Sequence, residues 1–319
     1  MHDLINELLL KKLDNPILRE LSDAACINYK EKIVFSTDSF VVSPIKFPGG
    51  DIGKLAVCGT VNDLVMMGAT PEYLSLALIV EEGLDYNVLE EIVDSISFNA
   101  KKSGISFVTG DTKVVEKGAC DKIFINTSGI GRVVKNRKLS LRGIKPGDKI
   151  IVTGEIGRHG LAVLAKRKEL SFGLNIKSDC AALNSLIIPV LKKTGAIKFM
   201  RDPTRGGVAT TLNEIAEGAG LGITIEEKNI PVSGKVRAAS ELLGIDPLYI
   251  ANEGIAILIV EEKSAGKILA LLEKHPLGRN AREIGLIKPG PRGRVILNTI
   301  LGTQRIVDML TSEPLPRIC

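Results

Sequence analysis

The sequence predicts an α/β protein of mixed α+β character, arranged as two domains with an extended C-terminal tail. Helix-like and strand-like segments alternate in both halves of the chain. A polar, basic stretch from Lys135 to Asp148, containing Arg142-Gly143 and Pro146-Gly147, reads as the connection between them. The 319 residues, 45% of them hydrophobic, are enough for two cores.

In the first half, Asp3 to Leu13 reads as a short amphipathic helix and Lys32 to Phe40 as a β-branched strand. Lys54 to Gly68 is a mostly apolar helix, Tyr73 to Val80 a strand, and Tyr86 to Ser103 a helix with apolar residues at helical spacing. Ile105 to Thr109 and Lys122 to Val134 read as strands. The second half opens with a strand over Lys149 to Thr153 and continues with helices over His159 to Arg167, Asn184 to Thr194 and Val208 to Ala219. A strand over Gly222 to Glu226, a helix over Lys235 to Leu243, a strand over Ile255 to Val260 and a helix over Ser264 to His275 complete it. The domains are therefore expected at 1–138 and 139–305, with a flexible tail over 306–319.

Composition excludes several classes. The net charge of +5 is spread along the chain without a basic block, and there is no tryptophan and only 4% aromatic residues on which bases would stack, so nucleic acid is not an expected partner. The apolar runs are strand-length, far short of the roughly 18 residues of a spanning helix, and no N-terminal leader is apparent. Five cysteines (Cys26, Cys58, Cys120, Cys180, Cys319) form no CxxC pair. An odd number of thiols without a leader fits the reducing cytoplasm.

Chemistry concentrates in the first half. Asp38 closes one expected strand and Asp111 follows another, which puts carboxylates where ligands of α/β sheets usually bind. Asn62-Asp63 lies inside an apolar helix, where an ionised carboxylate is costly unless it meets a cation or hydrogen-bond donors. Each aspartate alone is more often a cap or turn residue. Together they suit magnesium, which takes a few carboxylates and completes its shell with phosphate oxygens and water. Two glycine-rich stretches, Phe47 to Lys54 and Asp202 to Gly207, run into helices and offer amides to phosphate, or are plain turns. No Walker A motif or dinucleotide fingerprint is present.

The chain ends in Pro314-Leu315-Pro316-Arg317-Ile318-Cys319. A terminal thiol has no pocket from its own sequence neighbours, so it reads as a carrier rather than a catalyst, or as the accidental end of a frayed terminus. The prolines favour an extended path, so the tail is expected to project, with a reach of at most about 45 Å from Ile306 at roughly 3.3 Å per residue.

The segments FPGGDIGKLAV, GTVNDL, VTGDTKVVEKG, DPTRGG, ANEG and PRIC resemble the HypE family of hydrogenase maturation factors over essentially the whole chain. Families sharing the aspartate motifs are aminoimidazole ribonucleotide synthetase, selenophosphate synthetase and thiamine-monophosphate kinase. The resemblance implies an aminoimidazole ribonucleotide synthetase-like fold whose N-terminal domains pair into a homodimer framing the ATP sites. It implies ATP-dependent dehydration of a carbamoyl group on Cys319 to a thiocyanate. A HypF-like carbamoyltransferase would supply the group, and a HypC-HypD-like scaffold carrying iron would take the cyanide. Asp23, Asp38, Asp63 and Asp111 match metal positions, and Asp38, Gly50, Asn62, Asp63, Gly110, Asp111, Thr112, Asp202 and Arg205 match nucleotide positions. Glu253 and Lys113 match the pair acting on the thiocarboxamide, Glu253 as base and Lys113 as base or charge stabiliser.

Two departures accompany the match. Phe40 stands where relatives often carry a histidine, and the glycine-rich opening of the family is missing before Met1-His2-Asp3, so weaker nucleotide binding is expected. A kinase or synthetase of the same superfamily, using the aspartates but no tail, is the alternative enzyme. A recruiting scaffold acting through the tail leaves the aspartates without a task.

Overall fold

The structure, a computed structural model, describes residues 8, 9, 11–16, 29–135, 137–168, 175–310 and 317–319. Asp23, Cys26, Pro314, Pro316 and most of the first expected helix lie outside these residues; α1 is Lys11–Leu13.

The N-terminal part contains β1 (Ile33–Phe40), the small hairpin β2 (Lys46–Phe47) and β3 (Gly50–Asp51), α2 (Ile52–Met66), β4 (Ala69–Glu81), α3 (Tyr86–Ser103), β5 (Ser106–Val115) and β6 (Ile123–Val133). Four strands form one sheet in the order β1-β6-β4-β5, with β4 and β5 parallel and the other pairs antiparallel. The helix α3 follows its local chemistry at both ends: Asp85 caps the first turn through Asn87 N at 2.8 Å, and Gly104 closes the last at φ 67°.

The second part contains β7 (Lys149–Val152), α4 (Arg158–Arg167), α5 (Asn184–Lys193), β8 (Ile197–Arg201), α6 (Gly207–Ala219), β9 (Gly222–Glu226), α7 (Gly234–Leu243), β10 (Ile257–Val260), α8 (Ala265–Leu272), β11 (Arg282–Lys288), β12 (Val295–Asn298) and β13 (Gln304–Val307). Its seven strands run in the order β13-β12-β9-β11-β7-β10-β8. Four of them, β8, β11, β12 and β13, are absent from the periodicity reading. β8, β12 and β13 have only four or five residues, and all four are held by pairing with their neighbours. At Gly285 in β11 a Cβ would lie 2.1 Å from Thr224 O of the neighbouring strand. The strand β13 carries Ile306 and Val307, so the tail begins later than 306.

The two parts meet across α2. Thirteen of its fifteen residues are buried, and it lies between the four-stranded sheet and the second part. A helix apolar on every side is buried on every side. Asn62, expected at the nucleotide, is instead an interdomain clamp. Its amide donates to Ala181 O at 3.1 Å and Glu253 O at 3.3 Å and accepts from Leu183 N at 2.8 Å. At 1% exposure it has no water to exchange for these bonds. Gly50 is likewise structural: α2 is already capped by the Asp51 carboxylate through Lys54 N at 2.9 Å, which repels phosphate there, and Gly50 packs on the Phe47 ring. Its neighbour Gly49, at φ 97°, lets the hairpin close on the other domain, since a Cβ would sit 2.8 Å from Ser178 N.

Asn62→Ala is expected to cost about 2–4 kcal/mol, because Leu183 N and Ala181 O lose their partner while Glu253 O keeps only Ala181 N. Urea unfolding of the full chain measures this, and an unchanged midpoint contradicts the clamp.

Candidate functional site

Alternation along the strands decides which carboxylates meet. Ser36, Asp38 and Phe40 share the face of β1 turned toward α2, where Asp38 is registered with the buried Thr127. Asp63 comes down from α2 and accepts from Ser36 Oγ at 2.7 Å. Burial raises the pKa of both Asp38 and Asp63, and for Asp38 the Asp63 charge adds to it. From the second domain come Asp202, beyond the end of β8, and Arg205, before α6. Asp202 is pushed up to about 7, first by burial and then by the Asp63 charge, with a smaller contribution from Asp38, whereas Arg205 pulls Asp38 down. Three carboxylates and a guanidinium thus face one another across the domain boundary, next to the N-terminus of α6, which no side chain caps.

Asp111 does not join them. The strand β5 does not stop at Thr109 but runs to Val115, so Asp111 lies in mid-strand and not beyond an end; Asp38 is likewise two residues inside β1. Leu76 and Leu78 pair with Gly110 and Thr112, which places these on the α2 face and turns Asp111 and Lys113 to the other. In row, Asp38, Thr127, Leu76 and Gly110 span three strand spacings, about 14 Å. Asp111 is instead ion-paired with Lys113 at 2.7 Å on the open surface, and that hydrogen bond lowers its pKa. Among the described residues no three His, Cys, Asp or Glu side chains converge into a ready metal site. The expected set of Asp38, Asp63 and Asp111 is therefore not assembled within one chain. Gly110 serves close packing, since a Cβ there would lie 2.5 Å from Leu76 O.

Glu253 is 3% exposed, and its Oε1 has no hydrogen-bond partner among the described residues. Burial raises its pKa well above the usual carboxylate value, and the charges of Asp202 and Asp179 raise it further. Its amide and that of Gly254 donate to Asp179 Oδ2 at 3.0 and 2.8 Å. It lies behind α2, so the structure does not bring Lys113 to it within one chain.

The end of the chain does not project. Val41 N donates to Cys319 O at 3.1 Å and Ser43 N to Arg317 O at 3.2 Å, prolonging the edge of β1. Arg317 pairs with Asp121 at 3.0 Å and lies over the Phe124 ring. Ile318 is 2% exposed. From the other domain Arg167 donates to Arg317 O at 2.7 Å, and His159 Nε2 donates to Ile318 O at 2.8 Å. The tautomer follows from the carbonyl, which only accepts: with the proton on Nε2, Nδ1 accepts from Ser178 Oγ at 2.8 Å, and that oxygen accepts from Cys180 N at 3.0 Å. A hydrogen-bonded line thus runs from Ile318 through His159 and Ser178 into the segment that holds Glu253. His159, Arg167, Ser178 and Asp179 were not among the expected site residues. A histidine opening a helix after Gly154 and Gly157 was the available clue. Phe40, in place of a histidine, is buried against Gly59, where a Cβ would come within 2.8 Å of its ring.

The two-domain arrangement is that of the AIR synthase related proteins. The family's N-terminal domain matches residues 21–133 and its C-terminal domain residues 145–298. Solved structures narrow this. HypE in complex with ATP superposes with a TM-score of 0.96 at 47% identity, covering 100% of this chain and 96% of that one. In a HypE-HypF complex the figures are 0.85 and 48%, with 96% and 99% covered. The carbamoyl dehydratase HypE of Cupriavidus necator is 46% identical, over 99% of this chain and 91% of its own. That of Escherichia coli is 43% identical, over 100% and 96%. The chain belongs to the HypE family. Thiamine monophosphate kinase of Aquifex aeolicus, at 16% identity and a TM-score of 0.60, shares the fold.

Burial lowers the pKa of His159, so protonation favours the unfolded chain, where the value is about 6.5. Stability from this group is therefore complete above about pH 6.5 and is lost below it, by up to about 1.4 kcal/mol per pH unit. Urea unfolding of the wild type against His159→Gln from pH 7.5 to 5 is expected to show that difference in slope. Parallel profiles exclude a neutral His159.

Proposed function

We propose that this chain is an ATP-dependent carbamoyl dehydratase of nickel-iron hydrogenase maturation that acts on a carbamoyl group carried by its own Cys319. The docked terminus carries this reading: the structure seats the end of the chain between both domains, on the hydrogen-bonded line that leads to Glu253. A catalyst whose substrate is its own tail needs such a seat.

An amide oxygen is a poor leaving group. Transfer of the ATP γ-phosphoryl group to the carbamoyl oxygen turns it into one, and loss of phosphate with both nitrogen protons leaves a thiocyanate on sulfur. Glu253 is suited to take a proton from nitrogen because burial makes it a strong base once ionised. Arg205 and the open N-terminus of α6 suit the phosphates. Asp38 and Asp63, whose charges interact with each other and with Asp202, would be the carboxylates to hold magnesium, which would supply positive charge against the phosphates when bound. Of the other metal positions that the family resemblance suggests, Asp23 lies outside the described residues and Asp111 is on the opposite face of the sheet.

The face of the four-stranded sheet turned away from α2 exposes Phe35 at 65%, Ile79 at 41% and Ile33 at 39%. Pairing two such faces makes the homodimer and places the Asp111-Lys113 pairs at the joint. The dock holds the tail chiefly by main-chain bonds, so it can release Cys319 to a HypF-like carbamoyltransferase and to an iron-carrying HypC-HypD-like scaffold. Cytoplasmic location follows from those partners. Among the described residues no helix is long and apolar enough to cross a membrane.

Intact-mass analysis with carbamoyltransferase, carbamoyl phosphate and ATP is expected to show a carbamoyl adduct on Cys319 that then loses one water. Cys319→Ala removes both changes, and Asp63→Asn and Glu253→Gln retain the adduct, the latter slowing water loss by about 10²–10⁴-fold. An adduct on Cys26, Cys58, Cys120 or Cys180 overturns the reading. Phe35→Asp is expected to separate the dimer in sedimentation velocity, and an unchanged mass excludes this face.

A further inference from the structure

Between the two domains, on the far side of the segment 178–182 from the docked tail, lies a cavity of about 520 Å³. Its size is in the range of small-molecule sites. None of the residues expected at the nucleotide or the metal lines it. Three cationic side chains do: Lys54 from α2, Lys102 from the last turn of α3, and Arg158 from the start of α4. The N-terminus of α5 opens into it at Ser185, and no side chain caps that helix.

A second observation points to a ligand. Ser103 lines the same cavity, is 6% exposed, and its Oγ has no hydrogen-bond partner among the described residues. The hydroxyl sits beside the α5 terminus, because Asn184 Nδ2 donates to Ser103 O at 2.7 Å. A buried hydroxyl left unpaired costs about 1–3 kcal/mol, and an acceptor in the cavity would recover it.

The opposing charges are smaller. Asp179, with Oδ2 on two amides and Oδ1 without a partner among the described residues, and Glu155 supply two carboxylates, and the C-terminus of α3 contributes about half a negative charge, partly met by Asn184. Against these stand three full positive charges and the positive end of α5. His275, also in the wall, has its pKa lowered by burial and adds no charge.

We propose that this cavity is a second anion site, for the phosphoryl group of a small molecule, held by Lys102, Arg158, Ser103 Oγ and the first amides of α5, with Lys54 beside it. The ligand is inorganic phosphate or the phosphoryl end of a small polar phosphomonoester.

The test is calorimetric titration of the full chain with inorganic phosphate and, separately, with glycerol phosphate, both with a non-hydrolysable ATP analogue at saturation. Saturable binding of either probe supports the site, and the tighter of the two tells free phosphate from an ester. Lys102→Ala and Arg158→Ala are expected to weaken binding about tenfold or more, as loss of a charge-assisted hydrogen bond does. Lys101→Ala removes the same charge one residue away, outside the cavity, and is expected to change nothing. Ser103→Ala breaks no side-chain bond, so it keeps or raises the unfolding midpoint while weakening phosphate. Absence of saturation by either probe, displacement by the analogue, or equal losses in Lys101→Ala and Lys102→Ala would overturn the proposal.

Discussion

Burial of α2 is the constraint on which the rest depends. Because the helix is enclosed on both sides, each polar residue along it has to be answered by a specific partner, and successive residues, about 100° apart, meet different ones. Asn62 turns to the second domain and binds its backbone, while Asp63 turns to β1 and meets Ser36. Two adjacent residues thereby do unlike work. One joins the domains, and the other places a carboxylate at their boundary.

The same enclosure explains the electrostatics. Asp38, Asp63, Asp202 and Glu253 all have pKa values raised first by burial and then, for all but Asp63, by one another's charges. Such a cluster is not a source of stability. It is tolerated because the two domains are held by apolar contact and by the Asn62 clamp, and it attracts whatever positive charge the reaction brings.

The tail shows how a sequence can be held without a matching side-chain pocket for each residue. The carbonyls of Arg317, Ile318 and Cys319 are all taken by hydrogen bonds, and Ile318 supplies the apolar anchor. Projection into solvent, expected from the prolines, does not occur at residues 317–319: Arg317 takes a left-handed conformation, at φ 53°, and the terminal main chain finds partners along the edge of β1.

Several features were legible in the sequence because their causes are local. The helix α3 begins at an aspartate cap and ends at a left-handed glycine, and the apolar spacing between them leaves little choice. The helix α6 likewise ends at a left-handed glycine, Gly220 at φ 65°. The carboxylates were identifiable as residues out of place in apolar runs. Their grouping was not, since it depends on strand parity and on which domain packs behind the helix. One residue of register in β5 decides whether Asp111 faces Asp38 or the open surface. The sequence by itself determined two α/β units, an apolar central helix bearing Asn62-Asp63, and a terminal thiol. Only the tertiary structure decided that Asn62 clamps the domains, that Asp111 and Lys113 turn away from Asp38, and that the tail docks through His159. Each of these is a contact between segments far apart in the chain, settled by packing rather than by local propensity.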